Sequence, residues 1–199
     1  AGPSEVMVLA DNSARAEFVA ADLLSQAEHG DDSQAILVCR TERFARQVTR
    51  AVEEQIRYLS RGEAIRNSLA NSRIVLFDEE YKQIAFANAY APEHLIVSMR
   101  DAWGIAAKIT AAGSVFIGNY SPESAGDYAS GTNHTLPTGG WARACSGVNV
   151  DSFMRKITFQ ELTRDGLDAL APAITAMAEA EGLDAHANAV RVRMKGGIL

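Results

Sequence analysis

Short apolar runs alternate with amphipathic segments along the first 118 residues, and this alternation constrains the fold more than any other feature. Five runs have the composition of strands: residues 5–11, 35–39, 73–78, 94–99 and 114–118. Four segments between them have helical spacing of apolar residues: 13–29, with Ser13 as N-cap, 41–59, 79–91 and 101–110. This order is typical of a parallel sheet covered on both faces. We therefore predict a doubly wound, Rossmann-like α/β fold with a mostly parallel sheet.

The pattern changes after residue 118. Residues 119–147 are rich in Gly, Ser, Thr and Asn, and a loop of this length in a compact domain is usually functional or disordered. Residues 159–183 and 184–195 have helical patterns, so we predict an α/β domain over residues 1–150 and a helical tail over residues 151–199. The first tail helix carries an apolar stripe: Leu162, Leu167, Leu170, Ile174 and Met177.

Composition excludes several classes of protein. The net charge of −6 argues against a nucleic-acid partner, and no apolar run approaches the ~20 residues that cross a bilayer. Cys39 ends a buried strand and Cys145 lies in the polar loop, so a disulfide framework is not indicated and a cytoplasmic location is expected. The chain begins without Met or a signal peptide, as though another segment preceded it.

Two short motifs place reactive side chains at the entry to strands. In SQAEH, Gln26 and His29 lie one helical turn apart, so an amide oxygen and an imidazole nitrogen on one face can bind the same cation. In APEH, Glu93 and His94 place an acid and a base at the start of a strand. Parallel sheets bind ligands at loops along one edge, but the sequence alone does not show that these loops converge.

The remaining histidines also have acidic neighbours. His134 follows Asp127 in the polar loop, and His186 follows Glu181 in the tail. A set of one Gln, two His and one Asp would offer two nitrogens and two oxygens, which suits Zn²⁺, Mn²⁺ or Co²⁺. No HExxH, CxxC, P-loop, GxSxG or GxGxxG motif occurs. The residues alone indicate a metal-dependent enzyme.

Five segments, in order, resemble the L-histidinol dehydrogenase family: AGPSEV, LLSQAEH, APEHL, SPESAGDYASGTNHTLPTGG and LDAHANAV. The resemblance covers nearly the whole chain, but family members are longer and the chain resembles only their C-terminal half. The resemblance implies two successive NAD-dependent oxidations of L-histidinol, through histidinaldehyde to L-histidine, as the last steps of histidine biosynthesis.

The resemblance also implies roles for individual residues. The zinc ligands would be Gln26, His29, Asp127 and His186, of which the last comes from the partner subunit of a homodimer. These residues would therefore also contact the substrate. Zinc would mainly hold and orient the substrate through its amine and imidazole.

The implied catalytic pair is Glu93 and His94. His94, also a substrate contact, would take the hydroxyl proton as hydride leaves for NAD, and Glu93 would activate water to attack the aldehyde. Ser4, His134 and Glu181 match family positions at or near the substrate. The family's NAD-contacting residues lie in the preceding segment, so the isolated chain is expected not to turn over by itself.

Two other functions fit the same residues. A zinc hydrolase could use Glu93 to activate water without NAD, and a non-catalytic module could bind zinc or substrate and dimerise. The tail also has two possible arrangements, since its apolar stripe must be buried. It either folds back onto its own sheet or crosses to a second subunit, where it would bring His186 and Glu181 to the neighbouring site.

Overall fold

A computed structural model describes residues 3–194, and the chain divides into two compact units, residues 1–153 and 154–199. The first unit contains the sheet and the second contains two helices. We predicted a boundary between residues 150 and 151, three residues before this division. Each unit is described by itself.

The first unit is built on a five-stranded sheet in which every strand pairing is parallel. The strands are β1 (Glu5–Ala10), β2 (Gln34–Cys39), β3 (Arg73–Leu76), β4 (His94–Ser98) and β5 (Ser114–Ile117). Their order is β3-β2-β1-β4-β5, so the direction of winding reverses between β1 and β4. The predicted doubly wound α/β fold is confirmed.

Eight α-helices lie within the described residues. They are α1 (Ala16–Ala27), α2 (Glu42–Gln55), α3 (Gly62–Leu69), α4 (Glu80–Tyr90), α5 (Ala102–Ala106), α6 (Glu123–Tyr128), α7 (Arg164–Ala180) and α8 (Asp184–Met194). Short 3₁₀ turns occur at Ile56–Tyr58, Trp141–Arg143 and Val150–Phe153. No helix in residues 3–194 has the length and apolar character needed to span a membrane.

The central strands β1, β2 and β4 are buried on both faces beneath helices. Successive strand residues point to opposite faces, so Val6 and Val8 pack with residues of α1 and α2, whereas Met7 and Leu9 pack with residues of α4 and α5. This two-sided burial explains why β1 and β4 are apolar almost throughout.

Several local predictions were wrong. Ser13 does not cap α1, because its backbone N–H and hydroxyl both donate to the Asp11 carboxylate and the helix begins only at Ala16. Residues 159–163 are not helical, because Thr163 caps α7 by accepting a hydrogen bond from the Gly166 N–H at 3.1 Å. Helix α6 lies within the segment predicted to be a loop, and α3 has no counterpart among the predicted elements.

The direction of the helices determines where the site lies. We call the edge of the sheet at which strands begin the amino edge, and the opposite edge the carboxyl edge. A helix that follows a strand of a parallel sheet runs back across the sheet, so the C-terminal ends of α1 and α6 return to the amino edge. The first residues of β1 and β4 lie at that same edge.

In the second unit, α7 packs against α8. The buried residues of these helices are small or β-branched: Ala171, Ala178, Ala187 and Val190. Three residues of the predicted apolar stripe, Leu162, Leu170 and Met177, are exposed. The other two, Leu167 and Ile174, are partly buried, so the stripe is only partly covered within this unit.

Candidate active site and metal centre

The C-terminal end of α1 contributes Gln26 and His29. Gln26 lies in the last turn and is completely buried, while His29 follows the helix and is exposed. The Nδ1 atom of His29 lies 3.0 Å from the carbonyl oxygen of Ser25. A carbonyl only accepts hydrogen bonds, so this contact places a proton on Nδ1 and leaves the Nε2 lone pair available to a metal.

The amide of Gln26 has no hydrogen-bond partner within the described residues, at either its oxygen or its nitrogen. Leaving a buried polar group unpaired costs about 1–3 kcal/mol, so such groups usually have a partner or a function. An unpaired amide oxygen one turn from an available imidazole nitrogen fits a metal site.

Helix α6, which follows β5, contributes Asp127. Gly126 allows this helix to approach β5 closely, because a Cβ atom at that position would lie 2.5 Å from the Cε1 atom of Phe116. Asp127 is partly exposed, and its Oδ1 lies 3.9 Å from His94 Nε2. Close packing of α6 thus places a carboxylate beside the first residue of β4.

A cluster suited to a metal ion forms where α1 and α6 end. The potential ligand atoms of His29, Glu123 and Asp127 all lie within 4.8 Å of one another. Nitrogen and oxygen donors of this kind suit Zn²⁺, so these residues, together with the unpaired Gln26 amide, fit the predicted ion. The structure thus brings together two of the four predicted ligands, His29 and Asp127, and Gln26 lies one turn before His29 on α1.

Glu123 was not among the predicted site residues. It is 1 % exposed and its Oε2 atom has no partner among residues 3–194. Burial, followed by the nearby carboxylates of Asp127, Glu93 and Asp22, raises the pKa of Glu123 to about 8. Its spacing of four residues from Asp127 was a usable signal, but only once the segment was known to be helical.

Glu93 immediately precedes β4 and is buried. Its Oε2 atom accepts hydrogen bonds from the Ser4 hydroxyl at 2.8 Å and from the Glu5 backbone N–H at 2.9 Å. The start of β1 therefore fixes this carboxylate, and Ser4, predicted to lie near the substrate, contacts Glu93 directly.

His94 is the first residue of β4 and is also buried. Its Nδ1 lies 3.1 Å from the carbonyl oxygen of Glu5, which places the ring proton on Nδ1. The opposite nitrogen, Nε2, is buried with no hydrogen-bond partner among the described residues. In the neutral imidazole, Nε2 is then the nitrogen with the free lone pair, so His94 can act as a base.

Acidic side chains predominate at the centre. Within residues 3–194, no lysine or arginine forms an ion pair with Glu93, Glu123 or Asp127. Glu93 and Asp127 each lie within ion-pair distance of the His94 ring. Burial also raises the pKa of Asp22, on α1, to about 7. A buried acidic centre without its own cation favours a metal ion or a cationic ligand.

Within the first unit, the predicted residue His134 is not part of this cluster. His134 is exposed in the segment after α6, where Asn133 donates a hydrogen bond to the Val148 carbonyl. His186 in α8 and Glu181 after α7 are exposed residues of the second unit.

Comparison with known proteins gives a consistent result. The family model for histidinol dehydrogenase matches residues 1–194. The histidinol dehydrogenase of Bacteroides fragilis (strain YCH46) is 58% identical over 195 residues, which are 98% of this chain and 46% of that protein. That of Legionella pneumophila (strain Lens) is 52% identical over 194 residues, or 98% of this chain and 45% of that protein.

Solved structures agree with the sequence comparison. The crystal structure of histidinol dehydrogenase from Elizabethkingia anophelis matches with a TM-score of 0.92 and 56% sequence identity, covering 98% of this chain and 45% of that chain. This chain spans about half the length of the curated relatives it matches. Its sequence and its fold show that the chain belongs to the histidinol dehydrogenase family.

Proposed function

We propose that this chain carries the zinc- and substrate-binding part of a histidinol dehydrogenase, which oxidises L-histidinol through histidinaldehyde to L-histidine. The observation that carries the proposal is the setting of His94. Its unpartnered Nε2 lies 3.9 Å from Asp127 Oδ1, beside a metal-type cluster, and its Nδ1 lies 3.6 Å from Glu93 Oε2. A base and a carboxylate beside a cation site match the chemistry of the family.

Gln26, His29 and Asp127 would hold zinc, with His186 as the fourth ligand. When bound, zinc supplies a Lewis acid for the amine and imidazole of histidinol, and NAD supplies the hydride acceptor. NAD-contacting residues are expected outside this chain. The acidic surroundings would also favour the positively charged amine of the substrate.

In the first oxidation, His94 would remove the proton from the substrate hydroxyl as the carbon loses hydride. The contact from Nδ1 to the Glu5 carbonyl supports this role, because it keeps Nε2 as the accepting nitrogen. In the second oxidation, Glu93 would take a proton from the water that attacks the aldehyde. Ser4 and the Glu5 N–H would hold Glu93 in position for that step.

We also propose a homodimer, in which His186 and Glu181 of one subunit complete the site of the other, and in which His134 contacts substrate. The exposed apolar residues Leu162, Leu170 and Met177 support a partner surface on the tail. This oxidation would take place in the cytoplasm.

The activity is tested by adding L-histidinol and NAD to the full-length protein with zinc present. We expect two molecules of NADH for each histidinol and L-histidine as product. Absence of NADH formation, with zinc shown to be bound, would contradict the proposal. Hydrolysis of a supplied amide or ester without NADH would favour the alternative of a zinc hydrolase.

The shared site is tested with two inactive full-length variants, His186→Ala and Asp127→Ala. When their subunits are mixed and re-associated, one site of each mixed dimer would retain both residues, so part of the activity should return. Mixed dimers as inactive as their parents would show that the tail serves its own subunit.

A further inference from the structure

Glu123 and Gln26 occupy corresponding positions on the two helices of the centre. Glu123 lies one turn before Asp127 on α6, and Gln26 lies one turn before His29 at the end of α1. Both helices run toward the amino edge, so each of these residues lies one turn deeper in the unit. Exposure follows the same order, because Gln26 is 0 % and Glu123 1 % exposed whereas His29 is exposed.

The two inner side chains have complementary unpaired atoms. Glu123 has an unpaired carboxyl oxygen, and Gln26 has both an unpaired amide oxygen and an unpaired amide nitrogen. Glu123 also belongs to the cluster whose ligand atoms lie within 4.8 Å of one another. If a metal takes the amide oxygen, the amide N–H groups remain buried and need an acceptor.

We propose that Glu123 is a positioning residue of the zinc centre, where its carboxyl group accepts a hydrogen bond from Gln26 Nε2 and turns Gln26 Oε1 toward the metal. This inference rests on the zinc centre of the proposed function. Metal ligands are commonly oriented by such outer partners, which fix the ligand atom that faces the ion. The inner position of Glu123 suits this role, whereas the outer residues, His29 and Asp127, lie nearer to solvent.

The inference is tested by calorimetric titration of the metal-free chain with Zn²⁺. Glu123→Ala should weaken zinc binding by about 10- to 100-fold, the usual effect of removing a residue that orients a ligand. Glu123→Gln keeps an oxygen acceptor, so its affinity should stay closer to that of the unmodified chain than to that of Glu123→Ala.

A double-mutant cycle makes the test specific to Gln26. If Glu123 acts through Gln26, then Glu123→Ala should have little further effect in a chain that already carries Gln26→Ala. Equal losses in both backgrounds would overturn the inference, as would a Glu123→Ala variant that binds zinc like the unmodified chain. A Glu123→Gln variant as weak as Glu123→Ala would also overturn it, in favour of a direct carboxylate ligand.

Gln83→Ala provides a matched control. Gln83 is an equally buried polar residue in α4, and its Nε2 donates to the Phe77 carbonyl just beyond the carboxyl end of β3. This variant should retain the zinc affinity of the unmodified chain, and circular dichroism confirms folding in each case. An unmodified chain that binds no zinc would contradict the proposed zinc centre itself, which is distinct from a failure of Glu123 alone.

Discussion

The two edges of the sheet differ in what they offer a ligand. At the carboxyl edge, a cavity of about 810 Å³ lies between α1 and α2, lined by residues that include Asn12, Thr41, Arg43 and Gln47. At the amino edge, Gln26, Glu93, His94 and Glu123 are all buried. The carboxyl edge has a cavity lined partly by arginines, whereas the amino edge has acidic side chains and several buried, unpaired polar atoms.

Doubly wound folds usually bind ligands at the carboxyl ends of their strands, which would favour the cavity beside Arg43. Here the side chains suited to catalysis or metal binding lie at the opposite edge. The helices explain the difference, because α1 and α6 carry Gln26, His29 and Asp127 back across the sheet. Buried unpaired polar groups, rather than the cavity, therefore support the proposed site.

The largest expected difference between the edges is catalytic. In the full-length protein, His94→Ala should lower kcat about 100- to 10,000-fold, because it removes the proposed base. Arg43→Ala, in the carboxyl-edge cavity, should leave kcat nearly unchanged. Initial rates of NADH formation measure both. A similar loss of kcat in the two variants would contradict the proposed difference between the edges.

The same contrast should appear in zinc binding. Gln26→Ala removes a proposed ligand. Loss of a residue that only orients a ligand usually weakens metal binding by about 10- to 100-fold. The zinc affinity of Gln26→Ala should fall by more than this. Gln47→Ala removes the same type of side chain from the carboxyl-edge cavity and should have no effect. Calorimetry on the metal-free chains distinguishes them, and equal affinities would count against the amino-edge centre.

Close packing at the amino edge should make Gly126 sensitive to substitution. In Gly126→Ala the added methyl group would meet Phe116 at 2.5 Å and Thr132 Oγ1 at 2.7 Å. We expect a loss of about 1–3 kcal/mol in the free energy of unfolding, as is typical for overpacking. Gly62→Ala is the control, since its nearest contact would be an ordinary 3.4 Å. Urea denaturation that gives the same stability for both variants would contradict this account of α6.

The smallest expected effect concerns pH and the metal-free chain. Folding raises the pKa of Glu123 from 4.5 to about 8 and that of Asp22 from 3.8 to about 7, in both cases through burial. For each group, at pH values between its unfolded and its folded pKa, the folded state binds more protons than the unfolded state. The stability of the folded state should therefore fall as pH rises through this range and level off above the folded pKa values. Melting temperatures across this range measure the effect.

Glu123→Gln should flatten that pH dependence, whereas Gln47→Ala, which carries no titratable group, should leave it unchanged. Asp22 remains in both variants, so part of the slope should persist. An unchanged slope in Glu123→Gln would mean that Glu123 does not hold its proton in the folded chain.

The sequence predicted the sheet well because every strand is a short, largely apolar run, and the central strands β1, β2 and β4 are buried almost throughout. The helix boundaries were less predictable, because single hydrogen bonds decide them. Ser13 has the composition of an N-cap but is bonded to Asp11, and Thr163 rather than an earlier residue starts α7. The helix at Glu123–Tyr128 was missed because its apolar content is low and Gly126 weakens the helical signal.

The candidate site was only partly predictable. Local motifs identified Gln26 with His29 and Glu93 with His94, but convergence of the two pairs depends on the directions of α1 and β4. Glu123 could not be recognised before its helix was known. The places of His134, Glu181 and His186 relative to the substrate stay predictions.

The central claim is that the metal lies at the amino edge of the sheet. An anomalous difference map, collected at the zinc edge from crystals of the zinc-loaded protein, tests it most directly. We predict a peak about 2.0–2.2 Å from Gln26 Oε1, His29 Nε2 and an oxygen of Asp127. A zinc-loaded crystal with no peak among these three residues, or with its peak in the carboxyl-edge cavity beside Arg43, would contradict the claim.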